Sequence, residues 1–232
     1  MTRTTTTPLG YDDLPTLLAL MIGDEKHTAA STYTLDVLWV LYDRVLNVAP
    51  DRVDDPDRDR FLLSKGHGPM AFYAVLAAKG FLDVDELPDW AGPRSRLGFH
   101  PDGTLIPGVE IASGSLGHGL PLGIGMIFGL RAQQRRDTRV VVLVGDAELD
   151  EGSNHEAIAV AGRIGAETLT VVVVDNASAT KGWPGGIGQR FAVEGWATRT
   201  VDGRDHDALY TAFTEPHSGR PLAVVARVEP KE

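Results

Sequence analysis

Cysteine is absent from this chain of 232 residues, which excludes disulfide bridges and thiolate metal sites. Long apolar runs are also missing: none approaches the roughly 20 residues of a membrane-spanning helix, and the N-terminal MTRTTTTPLG has no hydrophobic signal core. Positive charge is scarce, since 22 Lys and Arg against 32 Asp and Glu give a formal net charge of −10. We therefore expect a soluble, cytoplasmic protein that binds neither membranes nor nucleic acid.

The glycine fingerprint of dinucleotide-binding proteins is missing as well. The turn GDAELDEG at 145–152 lacks the pattern G-x-G-x-x-G, and the glycines of GSLGHG at 114–119 do not follow a predicted strand. A dinucleotide site therefore fits the sequence poorly. Internal repeats are also absent.

The stretch from Arg139 to Asn176 determines the predicted fold. The apolar, largely β-branched runs at 140–144 and 169–174 are typical of strands buried on both faces of a parallel sheet, and helical spacing at 157–164 lies between them. This is a βαβ unit. We predict an α/β fold with a mostly parallel sheet and helices on both faces. One domain at 12–232 follows a flexible tail at 1–11, and a long helix is expected over 35–48.

Polar residues follow both predicted strands of this unit. Asp146 comes directly after the first strand and Asn176 after the second, so neighbouring strands would place a carboxylate and an amide oxygen around one point. Such oxygen ligands suit Mg²⁺, or Ca²⁺ in its place, and backbone N–H groups of Ala147 and Glu148 are placed to face a phosphate. A metal-bridged diphosphate is one interpretation. The other is that Asp146 and Asn176 only cap the segments that follow them.

Several motifs resemble those of transketolases. GDAELDEGSNHEA, with Asn176 about thirty residues beyond its start, is similar to the thiamine diphosphate motif of that family. KHTAAS at 26–31, SKGHG at 64–68, GFHP at 98–101 and GSLGHG at 114–119 resemble further family blocks, and the similarity runs from about residue 12 to 228. The resemblance implies the thiamine diphosphate-binding fold and a cofactor pair of thiamine diphosphate and Mg²⁺.

The resemblance also assigns roles to individual residues. His27, His67 and His100 match family histidines that line the cofactor and substrate, where they would bind sugar hydroxyls and relay protons. The acidic positions Glu151 and Glu156 match a glutamate network that links two cofactors. The residues implied to contact the cofactor are His67, Gly114, Leu116, Gly117, Gly145, Asp146, Ala147, Glu148 and Asn176. The implied metal ligands are Asp146, Asn176 and the backbone carbonyl of Ser178.

One motif position departs from the family pattern. Ala147 stands where the motif has its second glycine, and a side chain there requires a negative φ or some strain. The altered position would either weaken diphosphate binding or be neutral. For each histidine taken alone, an ordinary solvated residue is the simpler interpretation, and the match of the whole string favours the site.

The resemblance further implies a partner. Full transketolases have a pyrimidine-binding domain and a C-terminal domain, and these 232 residues contain neither. We therefore expect the N-terminal subunit of a split transketolase that is active only with a separate C-terminal subunit, in an α2β2 heterotetramer. The apolar stretch from Leu116 to Phe128 is expected to form part of the interface.

The implied reaction is transfer of a two-carbon ketol or acyl unit from a ketose-like donor to an aldehyde-like acceptor, with specialised biosynthesis as a possible setting. Two alternatives stay open. One is decarboxylation of a 2-oxo acid followed by acyl transfer with the same cofactor. The other is a non-catalytic binding module that keeps the fold, for which Ala147 is the main argument.

Overall fold

The computed structural model describes residues 9–22 and 25–231, and it describes side chains in these ranges except at 25–31. Five strands form one sheet: β1 (Arg60–Leu63), β2 (Val140–Gly145), β3 (Leu169–Asp175), β4 (Ala197–Asp202) and β5 (Leu222–Arg227). Their order is β1-β2-β3-β5-β4, and every pair is parallel. The predicted parallel α/β architecture is confirmed.

Seven α-helices accompany the strands in the described part of the chain: α1 (Leu14–Leu20), α2 (Glu25–Val40), α3 (Pro69–Ala78), α4 (Gly119–Ala132), α5 (Gly152–Arg163), α6 (Ile187–Ala192) and α7 (His206–Thr214). A π-helical segment, Leu41–Val45, continues α2. The predicted helix over 35–48 therefore begins ten residues too late, because threonine and serine before residue 35 conceal its start.

Alternate residues of each central strand face two separate hydrophobic cores. Val141 and Leu143 of β2 point into a core shared with α1, α2, α3 and α7. Val140, Val142 and Val144 point into a second core with α4, α5 and α6. Because both faces of β2 are covered, all of its positions must be buried, which explains its uninterrupted apolar run. Helices on both faces, as predicted, are confirmed.

The amino ends of β1 and β2 are held together by one buried carboxylate. Asp59 accepts hydrogen bonds from the backbone N–H groups of Asn47 at 2.7 Å and Arg139 at 3.1 Å, and it pairs with the Arg139 guanidinium. Four donor contacts of this kind satisfy a carboxylate that is almost removed from solvent. Asp59 thus joins the chain segments that precede β1 and β2. The polar residues predicted to form the site lie at the opposite end of the sheet.

Candidate cofactor site at the carboxyl edge of the sheet

The parallel register brings the ends of β2 and β3 together. Gly145 lies opposite Val174, and the backbone N–H of Asp146 donates to the Val174 carbonyl at 3.1 Å. Asp146 and Asn176 are therefore neighbours beyond the same edge of the sheet, and both are buried. The predicted juxtaposition of the two residues is confirmed.

The Asp146 carboxylate is bound by the loop that follows β3. Ser178 donates its backbone N–H to Oδ2 at 2.6 Å and its hydroxyl to Oδ1 at 2.6 Å, and the Ala179 N–H donates to Oδ2 at 2.9 Å. Ala177 turns the chain back through a left-handed conformation with φ of 53°. Ser178 thus contacts Asp146 through donor groups, and its carbonyl as a metal ligand stays a prediction.

Directly beyond β3, Asn176 carries a buried polar oxygen that has no partner; Asn154 Oδ1, behind the Glu148 turn, is another such oxygen among the described residues. The Asn176 Oδ1 is buried and accepts no hydrogen bond, beside a buried carboxylate. An orphaned acceptor costs about 1–3 kcal/mol unless a ligand satisfies it. No group of three His, Cys, Asp or Glu side chains in the described ranges is arranged as a metal site. The donor set is instead one carboxylate and one amide, which fits a Mg²⁺ ion that takes its other ligands from carbonyl, water and phosphate oxygens.

Ala147 adopts a conformation that an L-residue tolerates. It begins the 3-10 turn Ala147–Asp150, and the described non-glycine residues with positive φ are Ala91, Gln134 and Ala177. The condition set by the sequence, a negative φ, is therefore met. Ala147 is also exposed, at the edge where the predicted diphosphate would lie.

The Glu148 side chain has a role that the sequence did not reveal. Its carboxylate is buried and accepts hydrogen bonds from the Gly117 N–H at 2.9 Å, the Gly145 N–H at 3.4 Å and the Ser64 hydroxyl. Burial raises the pKa of Glu148 above its ordinary range, and the three hydrogen bonds and the Lys65 charge oppose that rise. Only its backbone was expected to face the site; its side chain points inward.

Lys65 is a second group that sequence reasoning passed over. It is the second residue after β1, is buried, and donates from Nζ to the His67 carbonyl at 2.7 Å. Burial lowers its pKa to about 8, against the opposing attraction of Asp146 and Glu148. Its position just beyond a buried strand, at the ligand-binding edge of the sheet, was the available signal.

The predicted histidines are only partly covered by the structure. His67 and His100 are exposed at the carboxyl edge, whereas the His27 side chain lies outside the described residues. A Cβ on Gly114, where φ is 104°, would come within 2.7 Å of His100 Cδ2, and one on Gly66 would lie 3.4 Å from Leu116 Cδ2. The 114–117 turn thus packs against His100 on one side and the loop before His67 on the other.

Glu151 and Glu156 lie at the start of α5, and both are exposed on this chain. A Cβ on Gly117 would lie 2.7 Å from Glu151 Cβ, so Glu151 borders the 114–117 turn. Their predicted membership of a glutamate network stays a prediction.

The exposed surface of α4 is apolar, and the adjacent helix α5 adds one exposed valine. Leu122, Phe128 and Val160 are each more than two fifths exposed, and nothing lies within 4 Å of a Cβ built on Gly125 or Gly129. We call these five residues the α4–α5 face. Contiguous exposed apolar residues on a helix pair mark an interaction surface. None of the described helices is both long and apolar enough to span a bilayer.

Comparison with known proteins identifies relatives of the chain. The family model described as transketolase, thiamine diphosphate binding domain, matches residues 21–227. A protein of Rhodococcoides fascians named ferredoxin fas2 is 59% identical over 222 residues, covering 96% of this chain and 73% of that protein. Ferredoxin clusters are held by cysteine thiolates, and this chain has no cysteine.

A second relative is itself one component of a larger enzyme. It is one of the subunits of apulose-4-phosphate transketolase from Actinobacillus succinogenes, and it is 38% identical over 146 residues, covering 63% of this chain and 52% of that protein. Among solved structures, a transketolase variant from Pichia stipitis superposes with a TM-score of 0.79 at 23% identity. The match covers 94% of this chain and 36% of the transketolase, so the chain spans about a third of that enzyme.

Proposed function

The chain belongs to the transketolase family of thiamine diphosphate-binding domains, and from this premise we propose that it is the N-terminal subunit of a two-component transketolase-like transferase. The enzyme moves a two-carbon ketol or acyl unit from a ketose-like donor to an aldehyde-like acceptor. When bound, thiamine diphosphate supplies the electron sink for breaking and remaking a carbon–carbon bond beside a carbonyl group. The residues of this chain bind and orient the cofactor and the substrates.

The observation that carries the proposal is the unpartnered Oδ1 of Asn176 beside the Asp146 carboxylate. Asp146 and Asn176 hold Mg²⁺, with the Ser178 carbonyl as third protein ligand. Ala147, exposed at the start of the 3-10 turn, lies beside the diphosphate. A divalent cation at this point satisfies the orphaned amide oxygen and offsets the negative charge of Asp146 and the diphosphate.

The exposed histidines provide the substrate side of the site. His67 and His100 flank the 114–117 turn, and imidazole groups donate and accept hydrogen bonds and exchange protons near neutral pH. Together with His27 they bind the hydroxyl groups of the donor and acceptor. Gly114, Leu116 and Gly117 meet the pyrimidine ring of the cofactor.

The α4–α5 face provides the contact to a partner chain. That the Actinobacillus succinogenes relative is named as one subunit of its enzyme supports a separate second chain. The partner carries the pyrimidine-binding and C-terminal domains, and the assembly is an α2β2 heterotetramer, since closed two-fold assemblies are the commonest for such pairs. Burying Leu122, Phe128 and Val160 removes an exposed apolar surface from water.

Calorimetric titration tests the proposal. Thiamine diphosphate with Mg²⁺ is titrated into the chain alone and then mixed with a candidate partner that carries a pyrimidine-binding domain. We expect binding in the mixture, loss of it with Asp146→Asn, and little change with Asp150→Asn, which alters a partly exposed carboxylate of the same turn. A wild-type mixture that binds no cofactor would instead support the non-catalytic module.

The reaction itself is tested on the loaded complex. Sugar phosphates are offered as donors with short aldehydes as acceptors, and pyruvate is offered in parallel. Carbon–carbon transfer without release of carbon dioxide supports the ketol transferase. Release of carbon dioxide from pyruvate, with sugar phosphates unchanged, would contradict the ketol transferase and support the decarboxylating acyl transferase.

A further inference from the structure

We propose that the Glu148 carboxylate is the positioning residue that holds the 114–117 turn in register with the metal-binding end of β2. The inference deepens the proposed function and rests on it for the identity of the ligand. Glu148 does not touch the cofactor in this proposal. It acts through three backbone and side-chain donors on separate segments of the chain.

The geometry joins three segments at one side chain. Oε1 accepts from the Gly117 N–H at 2.9 Å and from the Ser64 hydroxyl, and Oε2 accepts from the Gly145 N–H at 3.4 Å. Ser64 follows β1, Gly145 ends β2, and Gly117 precedes α4. Gly117, Ser64 and Gly145 are 31, 84 and 3 residues from Glu148 in sequence, so one carboxylate joins segments that are distant along the chain.

Ser64 extends the same cluster to the first residue of α4. Its hydroxyl donates to Glu148 and accepts from the Gly119 N–H at 3.0 Å, so both hydrogen-bonding functions of the oxygen are used. A Cβ on Gly119 would come within 2.3 Å of Ser64 Cβ, and this close approach requires glycine at 119. The turn and the start of α4 are therefore fixed against the end of β1.

Each of the three segments carries residues assigned to the cofactor site. Asp146 follows Gly145 directly, Gly114 and Leu116 lie in the turn that ends at Gly117, and His67 lies three residues beyond Ser64. Glu148 is 2% exposed, so its carboxylate faces the protein interior and is kept away from an anionic diphosphate. One buried group thereby sets the spacing between the metal end and the pyrimidine end of the site.

The chemistry of the cluster requires a carboxylate. All three partners donate, and an ionised carboxylate only accepts, whereas a glutamine of the same shape presents an NH₂ group as well. Glu148→Gln therefore points a donor group at one or more of these donors and leaves the volume unchanged. Asp59→Asn is the matched control, because Asp59 is a similarly buried carboxylate that joins loops at the amino ends of the strands.

The first arm of the test needs no cofactor. Amide hydrogen exchange is followed in the full chain for wild type, Glu148→Gln and Asp59→Asn. Oε1 accepts from the Gly117 N–H and Oε2 from the Gly145 N–H, so the NH₂ group of glutamine replaces the acceptor of one of them. We expect Glu148→Gln to lose protection at that amide, Gly117 or Gly145, and Asp59→Asn to retain protection at both. Unchanged protection at both amides in Glu148→Gln would overturn the proposal.

The second arm measures the dissociation constant of thiamine diphosphate with Mg²⁺ in the assembled complex, well below the unfolding temperature of each variant. We expect an increase on the order of tenfold to a hundredfold for Glu148→Gln, as for other residues that orient ligand-binding groups. The Asp59→Asn constant should stay close to that of wild type. An equal increase in both variants would reduce Glu148 to a general stabilising role and overturn the proposal.

The two arms separate this proposal from the proposed function. A wild-type complex that binds no cofactor overturns both the function and the positioning role, and the exchange data then still decide whether Glu148 joins the three loops. Binding by wild type, with normal affinity in a Glu148→Gln variant that has lost protection at Gly117 or Gly145, overturns the positioning role alone.

Discussion

Ser178 donates both its backbone N–H and its hydroxyl to the Asp146 carboxylate, each at 2.6 Å. With the Ala179 N–H, three donors from one loop converge on a single buried side chain. Charge-assisted hydrogen bonds of this kind offset the cost of removing a carboxylate from water. Asn176, between β3 and the same loop, has no equivalent support for its amide oxygen, and this difference between the two residues leads to the first prediction.

Asn176→Ala is expected to change the free energy of unfolding of the chain, measured in EDTA, by less than about 1 kcal/mol, because removal of an unsatisfied buried oxygen offsets the packing lost with the side chain. Asp146→Ala should cost about 1–3 kcal/mol under the same conditions, because it removes three hydrogen bonds to a charged group. Urea denaturation measures both.

The same two variants are then denatured with Mg²⁺ and thiamine diphosphate in the presence of the partner. We expect ligand stabilisation of wild type and none of either variant. If the ligands stabilised Asn176→Ala as much as wild type, Asn176 would not be a metal ligand.

Gly117→Ala should destabilise the chain by about 1–3 kcal/mol. The residue has φ of 81°, and an added Cβ would lie 2.6 Å from Ser153 Oγ and 2.7 Å from Glu151 Cβ. Gly125→Ala is the control, since this helical position has open space and alanine should stabilise α4 by about 0.5–1 kcal/mol. Thermal unfolding should show a lower melting temperature for Gly117→Ala and a higher one for Gly125→Ala, relative to wild type. Similar melting temperatures in the two variants would show that position 117 accepts a side chain without strain.

Phe128→Asp is expected to abolish assembly with the partner and to leave the fold of the chain intact. Phe128 is 50% exposed, so the substitution removes little packing, whereas a carboxylate at the centre of a buried interface is strongly unfavourable. Thr211→Asp supplies the control by adding the same charge to an exposed position of α7, which packs on the opposite face of the sheet. Light scattering of the mixtures measures assembly. A complex of normal mass with Phe128→Asp would show that the α4–α5 face is not the interface with the partner.

The low pKa of Lys65 predicts that the folded chain becomes more stable as the pH rises above 8. The folded-state pKa of Lys65 is about 8 and its ordinary value is 10.5, so between these limits the unfolded chain binds one more proton than the native chain. The free energy of unfolding of wild type, relative to Lys65→Met, should therefore increase by about 3 kcal/mol as the pH rises through this window. Below pH 8 the difference should be flat.

Chemical denaturation in EDTA at several pH values measures this difference. Lys79→Met, which removes a partly exposed lysine, corrects for other alkaline effects. A constant difference between wild type and Lys65→Met across the window would show that Lys65 keeps its ordinary pKa.

The sequence predicted the sheet well because burial on both faces leaves an uninterrupted apolar run, as in β2 and β3. The pairing of Asp146 with Asn176 followed from the geometry of parallel strands alone. The role of Glu148 did not, because a glutamate in the string AELDEG is typical of a solvated turn. Its burial depends on Ser64 and Gly117, which are brought to it only by the completed fold.

Polar residues within α2 show a related effect. Thr34 and Asp36 are buried although they are polar, and Asp36 accepts hydrogen bonds from Tyr11 at 2.5 Å and Arg204 at 2.7 Å. Those partners satisfy the carboxylate inside the protein, so tertiary contacts override the low apolar content of the helix. A pattern based on hydrophobic spacing could not register partners that lie 25 and 168 residues away.

Asp59 and Arg139 fasten the sheet at the end remote from the ligand-binding loops. This anchor of the sheet is therefore separate in sequence from the exposed loops at the other end. Directed evolution can randomise the loops around His67 and His100 without touching this anchor, and the same separation gives natural variants room to acquire new donors and acceptors on an unchanged scaffold.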